Sequence, residues 1–311
     1  MSLDNSKEIF EQSGLRFASF YLNFNQDPNL LFQWVQSEYP NIQSSVHFVY
    51  GSNEEELISS FWKRVKDIIW DRGDWQIFQE LGEISLKVMQ SICDIEGEAW
   101  ARSDLGWLYM ERGEFINAGQ YFEKSLELFL QTNNSMGICA TIRYRGVLTY
   151  RLGDLINAKK DFEFALKIAI ENNFSGMIAE ISNLQGSLAR KNGDMKNALA
   201  YYLQAKTGYE KLDDKWRLTA VMRNLAQLYL RTGDLSKSRS AFNEVIKLCK
   251  NIDRKDMLYG SQLGLAEVEL KLGNIREAFE LAESARKGFY KLGMEKDLQD
   301  VIRFIKDHGL S

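Results

Sequence analysis

The residues of this chain best equipped for covalent or metal chemistry are few and scattered. There are two histidines, His47 and His308, and neither has a second His, a Cys or an acid cluster at metal-ligand spacing. The three cysteines, Cys93, Cys139 and Cys249, are odd in number, far apart and set among apolar neighbours. They are expected to be buried free thiols in a reducing compartment, not a disulfide frame or a metal set. Glu54, Glu55 and Glu56 form a run of acids, but at the start of a helix such a run complements the positive helix end. No G-x-x-x-x-G-K-[ST] segment occurs, so the chain has no phosphate loop of that kind. The expectation is a protein with no catalytic residue, no metal and no cofactor, one that binds and is not an enzyme.

What the sequence repeats is a turn. Gly73–Asp74, Gly113–Glu114, Gly153–Asp154, Gly193–Asp194, Gly233–Asp234 and Gly273–Asn274 follow one another at intervals of 40 residues. A fixed period of that length marks an array of one supersecondary unit, each burying its apolar face against its neighbours. In the unit around Gly113, Leu105, Gly106 and Tyr109 precede the turn, and Ala118 and Phe122 follow it. Gly146, Gly186, Ala226 and Ala266 repeat the small position of Gly106. Ala158, Ala198, Ser238 and Ala278 repeat that of Ala118, and Phe162, Tyr202 and Phe242 repeat that of Phe122. A further small column runs through Ser125, Ala165, Ala205, Val245 and Ala285. Apolar residues at Leu155, Ala158, Phe162, Ala165, Leu166 and Ala169 keep helical spacing. Small residues let two helices approach closely, the glycine suits a helix C-terminus with positive φ, and the acid after it suits an N-cap.

The pattern L-G-x-x-Y, a glycine–acid turn and A-x-x-x-F resembles the tetratricopeptide repeat, whose unit is a pair of antiparallel helices. The resemblance implies an all-α, right-handed α-solenoid (a superhelix) of about six helix pairs. The chain departs from the family at the column usually held by Trp, which here contains Arg102, Ile142, Ser182, Met222 and Gln262. It also lacks the usual proline near the end of the second helix. A unit of 40 residues has about six more than the common one, enough for about 9 Å of extra helix. HEAT and armadillo arrays have similar periods but fit the A-x-x-x-F column poorly.

Three regions are expected. They are an N-terminal helical region over 1–52, the array over 53–293, and a capping helix within 294–311 in which Leu298, Val301, Ile302 and Ile305 cover the open end. Pro28 and Pro40 divide the first region, where Phe17, Phe20, Tyr21 and Phe24 cluster. Leu30 to Tyr50, with Trp34 and the segment Glu38–Ile42, is similar to the region before the repeat array in STAND-type signalling ATPases and multidomain transcriptional regulators. That likeness implies a sensor module.

The family's first helices line a groove. By that resemblance the inward columns here hold Arg143, Asn183 and Arg223, then Asp104, Tyr144 and Asn224, then Trp107 and Gln227, and Met110, Tyr150 and Arg190. Asn amides can bond an extended backbone, Arg can fork onto a carboxylate, and Trp or Tyr can take an apolar side chain. The expected partner is a protein or peptide, with an acidic or C-terminal carboxylate group as one option. Arg151, Lys191, Arg231 and Lys271 stand near helix C-termini, where a cation complements the helix end.

With 39 basic and 43 acidic residues the net charge is −4, which argues against general nucleic-acid binding. No stretch is apolar enough for a membrane span, and Met1 to Phe10 shows no apolar signal core, so a cytoplasmic location is expected. The expected role is a non-catalytic scaffold in signalling or regulation. Two alternatives stand beside it: a regulator resembling the Rap-type phosphatases, and a homo-oligomer that occupies its own groove.

Overall fold

A computed structural model describes residues 55–71 and 75–310 of the chain. The N-terminal region expected over 1–52 and the first glycine turn, Gly73–Asp74, lie outside the described residues. The described residues form thirteen helices and no strand. They are α1 (Glu55–Asp71), α2 (Trp75–Ser91), α3 (Ile95–Glu111), α4 (Phe115–Gln131), α5 (Ser135–Arg151), α6 (Leu155–Glu171) and α7 (Ser175–Lys191). Then follow α8 (Met195–Lys211), α9 (Lys215–Arg231), α10 (Leu235–Asn251), α11 (Lys255–Lys271), α12 (Ile275–Leu292) and α13 (Glu295–Asp307). Contacts group the chain into two units, Met1–Leu148 and Thr149–Ser311, with the division falling inside α5.

Helix length answers where the extra residues of the long repeat go. Each of α3 to α11 has 17 residues, about 25 Å of helix, and only three residues join one to the next. The glycine turns have the expected geometry: Gly153 has φ 86° and Gly193 φ 81°. The N–H of Asp154 reaches back to the carbonyl of Thr149 at 2.9 Å and that of Gly153 to Tyr150 at 3.1 Å, satisfying the last carbonyls of the helix. The structure adds what the glycine pattern concealed. The turns between pairs share this geometry, with Cys93, Asn133, Asn173, Asp213 and Asp253 at φ 51–58°. Asn and Asp enter the left-handed region more readily than other residues with a Cβ, so they replace glycine there. The same change of view corrects Cys93, an exposed residue in a turn, whereas Cys139 and Cys249 are buried.

The columns pack as their sizes require. Ala118, Ala158, Ala198, Ser238 and Ala278 are fully buried. The aromatic column fits the small column of its own pair: a Cβ on Gly106 would lie 2.7 Å from the Phe122 ring, and one on Gly186 2.6 Å from that of Tyr202. Bulk and its absence therefore set the closeness of the two helices in a pair.

Within the first unit, Phe61 and Trp62 of α1, Phe78 of α2 and Leu105 of α3 are buried, with the Trp62 and Phe78 rings 4.9 Å apart. Three buried hydroxyls satisfy one another there: Ser103 Oγ lies 2.7 Å from Ser125 Oγ and 3.2 Å from Thr141 Oγ1. Within the second unit, Tyr202, Tyr209, Val221 and Leu225 belong to one apolar cluster, and Ala282, Phe289, Leu298 and Val301 to another. The latter seats α13 on α12, as a terminal cap should. Leu298 and Val301 are buried and Ile305 packs beside them, but Ile302 faces solvent. Glu269, wholly buried, is satisfied by Arg239 Nε at 2.6 Å and Asn274 Nδ2 at 2.7 Å.

Two predictions follow from the turns. Gly153→Val should destabilise by about 1 kcal/mol or more, because no side chain obstructs it and the strain is in φ alone. Gly153→Asn should cost less, since Asn173 already enters the left-handed region at φ 58°, and urea denaturation will compare the two. The second concerns acid. Asp154 and Asp194 accept the N–H of Asn157 and of Asn197 at 3.1 Å, and Asp234 accepts from Lys237. These bonds hold all three carboxyls below their ordinary 3.8. A lowered folded-state value means that their contribution is complete above pH 3.8 and is lost as pH falls through the lowered values. Replacing all three by Asn, whose oxygen still caps, should reduce the stability lost between neutral pH and about pH 3. Equal losses in parent and variant would show that the caps do not act through ionisation.

Candidate functional site

The residues expected to face a partner divide between the two units. Trp107, Arg143 and Tyr144 belong to the first, and Tyr150, Asn183, Arg190, Arg223, Asn224 and Gln227 to the second.

In the first unit α3 and α5 bring aromatic rings together. The Trp107 and Tyr144 rings lie 5.1 Å apart, and Tyr144 stacks on Phe122 at 5.7 Å. The Arg143 guanidinium sits 4.2 Å from the centre of the Tyr144 ring. Its side chain is only 5% exposed, so it does not present a mobile charge to solvent as a groove-lining arginine was expected to. A long stem covered by neighbours and a guanidinium against a ring make it part of the packing. Asp104 pairs with Lys66 at 2.7 Å, so its charge is compensated within the unit. Met110 is fully buried and belongs to the core, not to a binding face.

In the second unit α7 and α9 carry the polar columns side by side. Asn224 Nδ2 donates to Asn183 Oδ1 at 2.9 Å, joining the two amides across adjacent repeats. Both residues are half-buried, as is Gln227. Their outer hydrogen-bonding edges are of the type an extended backbone can use. Arg223, also half-buried, points its Nη1 at the Met257 sulfur, 3.9 Å away, a weak acceptor. Burial depresses the basicity of Arg223, with the positive charges of Arg254 and Arg190 adding to it and Asp297 and Asp256 opposing it. Tyr150 is half-buried and its hydroxyl is pushed up by burial, against the effect of Arg190. Lys191 donates to the Tyr150 carbonyl at 3.1 Å and lies 4.4 Å from its ring centre, a cation at the C-terminus of α5 as expected. Arg151, Arg231 and Lys271 likewise fall in the last turns of their helices.

Sequence reading missed Arg254. It stands at the start of α11, with its guanidinium 4.4 Å from the Trp216 ring and 2.9 Å from Thr219 Oγ1. Its signal was weak because it occupies a turn and not a helical column. Among the described residues no group of three or more His, Cys, Asp or Glu could hold a metal ion.

Comparison with known proteins agrees with this geometry. Residues 177–251 and 101–131 match models of the tetratricopeptide repeat, and the helix pairs of the chain are tetratricopeptide repeats in an all-α solenoid fold. No curated protein matches the sequence. Among solved structures, the STAND signal-transduction ATPase with a tetratricopeptide repeat sensor from Pyrococcus horikoshii is 15% identical with a TM-score of 0.67. That likeness covers 89% of this chain and 42% of the ATPase. A Rap protein complexed with Competence and Sporulation Factor is 12% identical with a TM-score of 0.65, over 98% of both chains. BtubC (BKLC) from P. vanneervenii is 19% identical with a TM-score of 0.60, over 68% of this chain and 89% of that one. At these identities the likeness is one of fold. No helix among the described residues is long and apolar enough to cross a membrane.

The burial of Arg143 yields a prediction contrary to the expectation from exposed charge. Arg143→Ala should lower stability by about 1–3 kcal/mol by leaving its neighbours unpacked and unpaired. Arg143→Met, which keeps most of the stem, should recover part of the loss in thermal denaturation.

Proposed function

We propose that the chain is a non-catalytic binding module of a cytoplasmic signalling or regulatory system, and that the α7–α9 face of its second unit takes an extended peptide bearing a carboxylate. The observation that carries this reading is the Asn183–Asn224 amide pair beside Arg223. Two amides on neighbouring repeats offer donors and acceptors of the kind that an extended backbone pairs with. Tyr150, Arg190 and Gln227 extend the same face. The tetratricopeptide fold, whose general use is to present a surface to other proteins, supports the same reading, as does the likeness to a Rap protein solved in complex with a factor. The likeness to the STAND protein supports a sensor role, this chain corresponding to under half of that one.

A second reading, a regulator like the Rap phosphatases, is favoured by the 98% coverage of both chains. It predicts an effect on a phosphorylated signalling protein, where the binding module predicts capture without chemistry. Self-association is tested by measuring the mass in solution. Nucleic-acid and membrane partners are not part of the proposal.

The direct test is an array of random peptides with free or amidated C-termini, probed with the full chain. Parent protein should retain a subset with free carboxylates, and Asn183→Ala with Asn224→Ala should lose that subset while melting within about 1 kcal/mol of the parent. Capture of no peptide, or equal capture by the folded double variant, would reject the face as the binding site.

A further inference from the structure

Two columns of the repeat face each other where the second helix of a pair nears its end. One runs through Ala99, Cys139, Ala179, Thr219 and Tyr259, the other through Leu128, Ile168, Gly208, Leu248 and Gly288. From α3 to α12 each pair of helices but one therefore brings a Leu, an Ile or a Tyr to this place. Ala99 and Leu128 share an apolar cluster. A Cβ on Gly288 would lie 2.4 Å from the Tyr259 ring, so that ring occupies the space of the absent side chain. The exception is the pair α7 and α8, where Ala179 meets Gly208. A Cβ on Gly208 would meet Ala179 alone, 2.8 Å from its Cβ and 3.5 Å from its Cα. The backbones approach closely here, but the bulk that covers the other pairs is not replaced. A groove of about 630 Å³ opens at this place, within the range of about 300–1,000 Å³ usual for small-molecule sites. Ala179 is buried at its floor beside Ile178 and Gly208, and Leu203 and Leu212, 44% and 45% exposed, form its rim. Thr207 and Lys211, one turn apart on α8, supply its polar side. The acids next to Lys211 in sequence are already taken. Glu210 pairs with Lys206, Asp213 with Lys215 at 3.3 Å and Asp214 with Arg217 at 2.7 Å. Lys211 itself has no ion-pair partner among the described residues. It stands in the last turn of α8, where the helix end favours a cation and so keeps it beside the groove.

We propose that this groove between α7 and α8 binds a small amphipathic acid. Its apolar body, an acyl chain or an aryl ring, replaces the bulk missing over Ala179 and Gly208, and its carboxylate pairs with Lys211. Such a ligand covers Ile178, Leu203 and Leu212, which the pair leaves partly or largely in water. A purely apolar ligand would leave Lys211 as it is, and a cationic one would be repelled by it. One lysine suits a monoanion, and the Thr207 hydroxyl is a donor of the kind that a carboxylate oxygen accepts. None of the residues lining the groove is among those assigned above to the peptide, so this inference stands independently of that reading.

The test is a calorimetric titration of the full chain with octanoate, at fixed ionic strength and below the concentration at which it forms micelles, with octylammonium as a probe of the same length and opposite charge. Octanoate should bind saturably and at least about tenfold more tightly than octylammonium. Lys211→Gln should weaken octanoate at least about threefold and narrow the gap between the two probes. Thr207→Trp, which sets an indole in the groove, should weaken octanoate at least about tenfold. Both positions are exposed, so both variants should melt close to the parent, and each reads the site without the other. No saturable binding of octanoate by the parent, or undiminished binding by Thr207→Trp, would overturn the site. Octylammonium bound as tightly as octanoate, or full octanoate affinity in Lys211→Gln, would overturn the assignment of a carboxylate ligand.

Discussion

Every reversal of this chain between consecutive described turns passes through one residue in the left-handed backbone region, and the regularity of the fold depends on it. A helix ends when the next residue takes positive φ and its amide, with the one after it, folds back onto the last carbonyls. Because each turn from α2 to α12 is three residues long, each of those helices begins in the same phase as the one two before it. Ala158 therefore recurs as Ala198 and Ala278 at the same depth, and Phe162 as Tyr202 and Phe242. A shift of one residue in any turn would rotate the next helix by about 100° and bring polar residues against the aromatic column. The turn is thus the constraint, and the packing of each pair is its consequence.

That dependence explains which parts of the structure were legible in the sequence. The turns within helix pairs announced themselves through glycine, which hardly any other residue imitates at the φ of 80–86° found from Gly113 to Gly273. The turns between pairs use Asn, Asp and Cys at φ 51–58°, residues that occur on any surface, so their recurrence read as background. Columns of Ala and aromatic residues were readable because burial restricts size, and a size restriction repeated at a fixed period is a strong pattern. Ile302 was misplaced because an apolar residue on an amphipathic helix can lie at the margin of the apolar face, and only packing decides on which side of it.

The binding face was legible in kind and less so in detail. Column position placed Asn183 next to Asn224, and the amides do bond to each other. The same reasoning treated Arg143 and Arg223 as equivalents because they share a column, and here it failed. Arg143 has an aromatic neighbour, Tyr144, over which its guanidinium lies, while the residue following Arg223 is Asn224. Arg223 meets a sulfur on the neighbouring repeat and feels two like charges, none of which its own column foretells. A column fixes direction, but the partner of a charge is set by its neighbours in space, and these differ from repeat to repeat.

This difference is also what allows a repeat array to carry a specific site. If all repeats were identical, a charge on one face would be repeated along its length, and the face would bind anions without register. Here acids, amides and aromatic residues alternate with the arginines in the same columns. Asp104 is neutralised by Lys66, Tyr144 covers Arg143, and Asn224 joins Asn183. Within the second unit Arg223 turns its Nη1 to the Met257 sulfur, a weak acceptor, and its buried Nε meets no acceptor among the described residues. The uniform part of each repeat holds the helices in phase, and the variable part determines where charge is left uncompensated. Only at such a place can an incoming anion gain more than the water and counterions it displaces.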